Sequence, residues 1–215
     1  MAAVCNAAAA YVEAAGVGHG ATQPPDNLRE RVAHHFDPLP FWYAPLEWQA
    51  SGSGNRAGEF PLHAITQRPM FMYHAWGSQN AWLRQIASRN ALYLHPDTAA
   101  RYGVADGDLV DVDSHLGRIR VQARLAANMQ PDTVWTWNAI GKRRGAWRLA
   151  PDAPEGRRGF LLNHLIGDLT PDGDRVNADP VTGQAAWFDL RVRLEPDRTT
   201  PQDGEHRIDL ADAPA

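Results

Sequence analysis

Residues 60–90 read FPLHAITQRPMFMYHAWGSQNAWLRQIASRN, and the reading of this stretch decides the fold. It opens as an apolar run, Pro61–Ile65, which predicts a buried strand. Thr66, Gln67 and Arg68 are polar at the strand's end, and Pro69 lacks the N–H that further pairing needs. Tyr73, His74, Trp76, Gly77, Ser78 and Gln79 then crowd donors, rings and one small residue into a loop. Ser78 is placed to cap a helix starting near Asn80. A strand end, a glycine that admits close backbone approach and a helix N-terminus together suit an anionic, heteroaromatic ligand. Arg68 adds a planar fork that fits phosphate or a ring carbonyl. The bland alternative is a strand, a loop and a helix with ordinary surface polars.

Downstream, Ala91–Leu94 predicts a strand. Pro96 fits the first position of a short helix and Gly103 its C-terminal cap. Val104–Asp108 is a tight turn with Gly107 at positive φ, and Asp106 and Asp108 serve local hydrogen bonds rather than a metal. Leu109–Asp113 and Arg118–Ala123 alternate as half-buried strands and form a hairpin through His115–Gly117. Thr133–Trp137 is a further strand; Asn138 at its end, where ligands gather, joins the candidate binding set. Phe160–Ile166 is apolar around Asn163 and His164, and a last strand covers Asp189–Leu194.

Composition narrows the function. The chain has 215 residues, 44% of them hydrophobic, with eight Trp, enough for a real core. A net charge of −4 gives no support for nucleic acid as a partner. Its 21 basic residues are almost all Arg, the only basic cluster being Lys142–Arg144 with Arg148, Arg157 and Arg158. The single cysteine, Cys5, excludes an internal disulfide and an all-protein iron–sulfur cluster in this chain. Adjacent His34 and His35 point to different helix faces and make no shared metal site. No apolar run reaches the ~20 residues of a membrane span, and no export signal is visible, so a cytoplasmic location is expected.

Two blocks carry a family resemblance. Thr66-Gln67-Arg68 followed by Tyr73-His74 resembles the T-G-R…H segment of the molybdopterin-dinucleotide-binding domain, the C-terminal domain of large subunits in the dimethyl-sulfoxide-reductase family. Gln67 stands where many members carry glycine. Residues 91–123 resemble the same family's barrel core. Asn163-His164-Leu165 is similar to its N-x-L motif, and Asp179-Pro180-Val181-Thr182-Gly183-Gln184 to its closing D-P-x-S/T-G segment, without the lysine many members carry there. The wording is nearest to sulfite-, thiosulfate- and polysulfide-type members.

The resemblance implies a mainly β fold with short helices, a double-psi β-barrel of the aspartate-decarboxylase-like kind. It implies that Thr66, Gln67, Arg68, Tyr73, His74, Trp76, Gly77, Ser78, Gln79, Asn138, Asn163 and Gln184 face bis-molybdopterin guanine dinucleotide, with the metal ligated from elsewhere. The implied partners are a catalytic large subunit or the remaining domains of a molybdoenzyme, together with an iron–sulfur electron-transfer subunit. The chain is not expected to be catalytic alone. A different class of reading is a barrel that binds protein without cofactor, using the aromatic Phe41–Trp48 segment as an adhesive surface. A self-sufficient hydrolase lacks both a nucleophile elbow and zinc-type His spacing. The expected organisation is an Ala-rich segment and linker over 1–35, an extended aromatic, Pro-rich segment and hinge over 36–59, the barrel over 60–195 and a polar tail over 196–215.

Overall fold

The computed structural model describes residues 27, 42, 45, 47, 56–73, 77, 80–87, 89–138, 140–141, 159–179, 183–186, 190–196 and 207–210. In chain order these form α1 (Arg56–Glu59), β1 (Leu62–Gln67), α2 (Ala81–Ile86), β2 (Leu92–Leu94), α3 (Pro96–Tyr102), β3 (Leu109–Asp113), β4 (Gly117–Leu125), β5 (Thr133–Trp137), a 3-10 turn (Leu162–Leu165), β6 (Leu190–Pro196) and β7 (Arg207–Leu210). The strands hydrogen-bond in the order β2, β5, β1, β6, β3, β4, and β4 pairs back onto β2. The result is a closed, mostly β barrel of six strands, with β7 added to β4. Pairs β1/β5 and β2/β4 are parallel, and every other pair is antiparallel.

Period-two patterning explains the barrel's contents. β1 turns Leu62, Ala64 and Thr66 to the buried side, and β5 does the same with Val134 and Thr136. Deep in the barrel these positions are apolar, where they meet Leu92, Val110, Ile119 and Val192. Towards the carboxyl ends of β1 and β5 the same face turns polar. The strand runs past Ile65 because Thr66 and Gln67 still pair in register with Thr136 and Trp137. On β2 and β5, Tyr93 stacks on Trp135 with ring centres 3.9 Å apart, and Trp137 meets Trp135 edge-on.

Turns and caps largely follow the sequence. Pro96 opens α3, His95 caps it by accepting the Asp97 N–H at 3.1 Å, and Gly103 closes it at φ 65°. Gly107 is at φ 91°, while Asp106 and Asp108 accept the Leu125 and Ala105 N–H groups at 2.7 Å. The cap of α2 differs from the expectation: Asn80, not Ser78, accepts the Trp82 N–H at 2.9 Å. Asparagine caps as well as serine, and the cap falls two residues after Ser78, with the helix starting at Ala81.

Three further differences have physical causes. β3 is buried along its whole length rather than on one face, because Asp111 and Asp113 lie under arginines. Arg118 reaches Asp113 at 2.5 Å, Arg120 reaches Asp111 at 2.7 Å and Arg193 reaches Asp113 at 3.0 Å. The hydrogen bond from Asp113 raises the Arg118 pKa further above its ordinary value against the opposing effect of burial. Within the stretch expected to be a polar tail, Arg207–Leu210 forms β7, antiparallel to Gly117–Arg120, where β4 offers an edge. Glu47, read as part of an extended segment, is helical and buried, and accepts the Arg191 backbone N–H at 2.9 Å. Cys5, His34, His35 and the Lys142–Arg144 cluster lie outside the described residues.

Asn90, fully buried, joins separate parts of the chain. Its Nδ2 donates to the carbonyls of Trp137 at 2.8 Å and Phe160 at 3.2 Å. Its Oδ1 accepts from the Thr136 hydroxyl at 2.8 Å and the Trp137 N–H at 3.2 Å. Gly141 and Gly159 let the same two stretches touch: a Cβ at Gly141 would overlap the Phe160 backbone, and one at Gly159 would overlap Gly141. Asn90→Ala strands several buried polar groups at once, and urea unfolding is expected to report a loss of about 3 kcal/mol. A loss under about 1 kcal/mol would mean that the glycine contact alone holds the junction.

His63 supplies a pH dependence. Burial, reinforced by the Arg191 guanidinium and opposed by Asp132, lowers its pKa, and Arg191 Nη1 hydrogen-bonds His63 Nε2. A folded-state pKa below the unfolded one contributes stability that is present above the ordinary value of about 6.5 and lost as pH falls through the folded value. The melting temperature is therefore expected to drop on acidification below about pH 6.5, with a shallower drop in His63→Gln. Parallel curves for the two proteins would remove His63 as the cause.

Candidate functional site

The polar ends of β1 and β5 open onto a cleft of about 740 Å³. Thr66 is the last buried-side position of β1, and Asn138 follows β5 with its N–H donating to the Gln67 carbonyl at 3.0 Å. A second group of lining residues is Asn163, on the 3-10 turn, followed by Ile166, Gly167 and Asp168. Ser114 ties that turn to the β3–β4 hairpin by donating to the Leu165 carbonyl at 2.8 Å. The third wall holds Val176, Asn177, Ala178, Gly183, Ala185 and Ala186. Backbone bonds assemble it: Asn177 N–H to the Asp168 carbonyl at 2.9 Å, and Ala186 N–H to the Asn177 carbonyl at 3.0 Å.

Among the described residues, three buried oxygens here have no hydrogen-bond partner: Thr66 Oγ1, Asn138 Oδ1 and Asn177 Oδ1. Each belongs to a residue that lines the cleft. An unpaired buried polar atom costs about 1–3 kcal/mol, so three on one cleft form a binding surface that a ligand's donors would complete. Asp168, an exposed residue, also lines the cleft. Beyond the wall, the Thr170 hydroxyl, and next the Asp174 N–H, hold the Asp172 carboxyl below its ordinary range. Among the described residues no group of three or more His, Cys, Asp or Glu could hold a metal ion.

The residues named from the sequence divide. Thr66, Asn138 and Asn163 meet in the cleft. Gln184 lies between Gly183 and Ala185 of the third wall, outside the described lining, and its carbonyl accepts the Asp179 N–H at 2.7 Å. Gln67 is exposed at the end of β1, Arg68 is exposed just beyond it, and Tyr73 is exposed on the loop that follows; none of the three lines the cleft. Gly77, at φ 86°, begins the turn into α2, its carbonyl accepting the Asn80 N–H at 2.9 Å. His74, Trp76, Ser78 and Gln79 lie outside the described residues. Sequence reasoning missed Gly167, Asp168 and Asn177; the signal available for Asn177 was an amide two residues before the Asp179-Pro180 motif.

Comparison with known proteins bears on this geometry. The family model described as "Molydopterin dinucleotide binding domain" matches residues 62–178. The chain is 54% identical over 190 residues to a sulfite dehydrogenase subunit of Allochromatium vinosum, covering 84% of this chain and 19% of that protein. It is 31% identical over 136 residues to trimethylamine-N-oxide reductase of Haemophilus influenzae, covering 62% and 15%. Among solved structures, acetylene hydratase from Pelobacter acetylenicus superposes with a TM-score of 0.56 at 22% identity, over 75% of this chain and 22% of that one, a likeness of fold. The chain spans a fifth or less of the length of these curated relatives.

The orphan hydroxyl yields a stability test. Thr66→Val keeps the shape and removes the unpaired group, so the cofactor-free chain is expected to gain about 1 kcal/mol in urea unfolding. A loss of stability would show that the hydroxyl has a partner within the protein.

Proposed function

This chain belongs to the molybdopterin-dinucleotide-binding domain family of dimethyl-sulfoxide-reductase-type molybdenum oxidoreductases, and we propose that its barrel mouth closes over bis-molybdopterin guanine dinucleotide. The observation that carries the reading is the set of unpartnered buried oxygens on Thr66, Asn138 and Asn177 around one cleft. A pterin nucleotide is rich in N–H groups, and its donors match those acceptors. When bound, that cofactor supplies the redox chemistry at its metal. This chain's own part is to grip, orient and dry one side of it. Thr66 and Asn138 act from the rigid strand ends, and Asn163 from the 3-10 turn. Gln67, Arg68, Tyr73, His74, Trp76, Gly77, Ser78, Gln79 and Gln184 are proposed as outer contacts on the loops that flank the cleft.

The barrel's two parallel pairings support a double-psi connection. The rest of the enzyme is proposed as the partner: the remaining large-subunit domains, which hold the metal ligand, and an iron–sulfur protein that carries electrons. The 54% identity to a protein named for sulfite supports a sulfur oxyanion as the whole enzyme's substrate. No helix among the described residues is long and apolar enough to cross a membrane, and a cytoplasmic location is part of the proposal. The adhesive-module reading is set aside because the orphan oxygens converge on one cleft; of the aromatic rings of Phe41–Trp48, only the exposed Trp42 lies within the described residues.

The test is co-purification with the remaining large-subunit domains, followed by molybdenum and pterin analysis. The wild-type chain is expected to increase cofactor retention, and the Thr66→Val, Asn138→Leu double variant to lower it by about tenfold or more. Equal retention with and without the chain would overturn the proposal.

A further inference from the structure

α2 is apolar on more of its surface than the barrel covers. Leu83 and Ala87, four residues apart, pack with Phe71, Met72, Trp137 and Ile140 in a small cluster separate from the main core. Trp82 and Ile86 form the neighbouring column at the same spacing, and they are 76% and 65% exposed. No residue of α2 is buried. A surface helix ordinarily turns its whole apolar stripe to the core and its polar residues outward. Here one column of the stripe is left in solvent. Met70, next to Phe71 on the loop that packs the same cluster, is 99% exposed.

The surroundings carry one sign of charge. Residues 60–96 contain Arg68, Arg84 and Arg89 and no Asp or Glu, within a chain of net charge −4. Arg84 lies in the last turn of α2, and Arg68 and Arg89 are exposed on the segments before and after it. Two facts choose what covers this face. A second copy related by a twofold axis would set the same arginines against one another, and like charges across an interface weaken it. The chain also spans a fifth or less of the length of the curated relatives it matches, so most of each relative lies outside the match.

We propose that the Trp82–Ile86 face of α2 is a docking surface for the remaining large-subunit domains, which meet it with an apolar recess rimmed by Asp and Glu. The proposal rests on the reading of those domains as the partner, and it adds a contact that needs no cofactor. Trp82 is the anchor, because a large aromatic side chain desolvated at the centre of a contact carries much of its binding energy. Arg68 and Arg89 steer the encounter from the rim.

The full chain is tagged and co-expressed with the remaining large-subunit domains in a host that makes no molybdopterin, and the domains captured with it are quantified. The wild-type chain is expected to capture them. The Trp82→Ser, Ile86→Ser double variant is expected to capture about tenfold less. Arg89→Glu is expected to capture about threefold less at low salt, with the difference shrinking at high salt. Circular dichroism checks that each variant is folded; should the double variant fail to fold, Ile86→Gln takes its place with an expected loss of about threefold. Equal capture by the folded apolar-face variants would overturn the proposal. So would a wild-type chain that sediments as a dimer which the double variant abolishes, since a second copy would then hold the face. Capture only after cofactor is supplied would overturn it too, and would leave the cofactor reading standing. Capture through Trp82 and Ile86 with no gain in cofactor retention would support it, and would remove the cofactor reading instead.

Discussion

The Asn90 side chain is the tie on which the site depends. It sits between β2 and the loop before it, yet its bonds run to the end of β5 and to the stretch leading into the 3-10 turn. A closed barrel does not by itself fix what covers its mouth. Asn90, with the glycine-on-glycine contact of Gly141 and Gly159, fixes it here. Asn138 follows directly from one of the joined stretches, and Asn163 lies three residues past Phe160 on the other. Two cleft residues far apart in the chain thus share one anchor, and a buried, fully bonded amide is a rigid one.

The barrel divides its labour along each strand. Leu62, Ala64 and Val134 bury apolar surface, each large side chain contributing about 1.5–3 kcal/mol. Two residues past Ala64 on the same face, Thr66 is buried without a hydrogen bond for its hydroxyl. The deep layers offset the cost of the unpaired mouth. This is the pattern of a site shaped for a partner rather than for its own stability, since an apolar residue at Thr66 would fit the strand equally well. The arginine–aspartate lattice over β3 serves the other side of the barrel: it satisfies two buried carboxylates and takes no part in the cleft.

Most of the fold was legible because its signals are local. Pro96 and Gly103 bracket α3, Gly107 makes its turn, an apolar run marks β1 and alternation marks β4. The full burial of β3 was hidden, because Asp111 and Asp113 read as solvent-facing until Arg118, Arg120 and Arg193 arrive from other strands. β7 was hidden because a four-residue strand in a polar stretch depends on the edge it joins. The site divided in the same way. Thr66, Asn138 and Asn163 were named from strand ends and motifs, and they meet in the cleft. The only local mark of Asn177 is its place two residues before the Asp179-Pro180 motif. Its role follows from backbone bonds to Asp168 and Ala186 that only the folded chain supplies.

Hydrogen–deuterium exchange of the assembled enzyme, with and without its cofactor, tests the central claim most directly. The account predicts protection on loading at Thr66–Gln67, at Asn163–Asp168 and around Asn177, three stretches distant in sequence that respond together. Protection confined to the β3–β4 hairpin or to α2, with those three stretches unchanged, would contradict it.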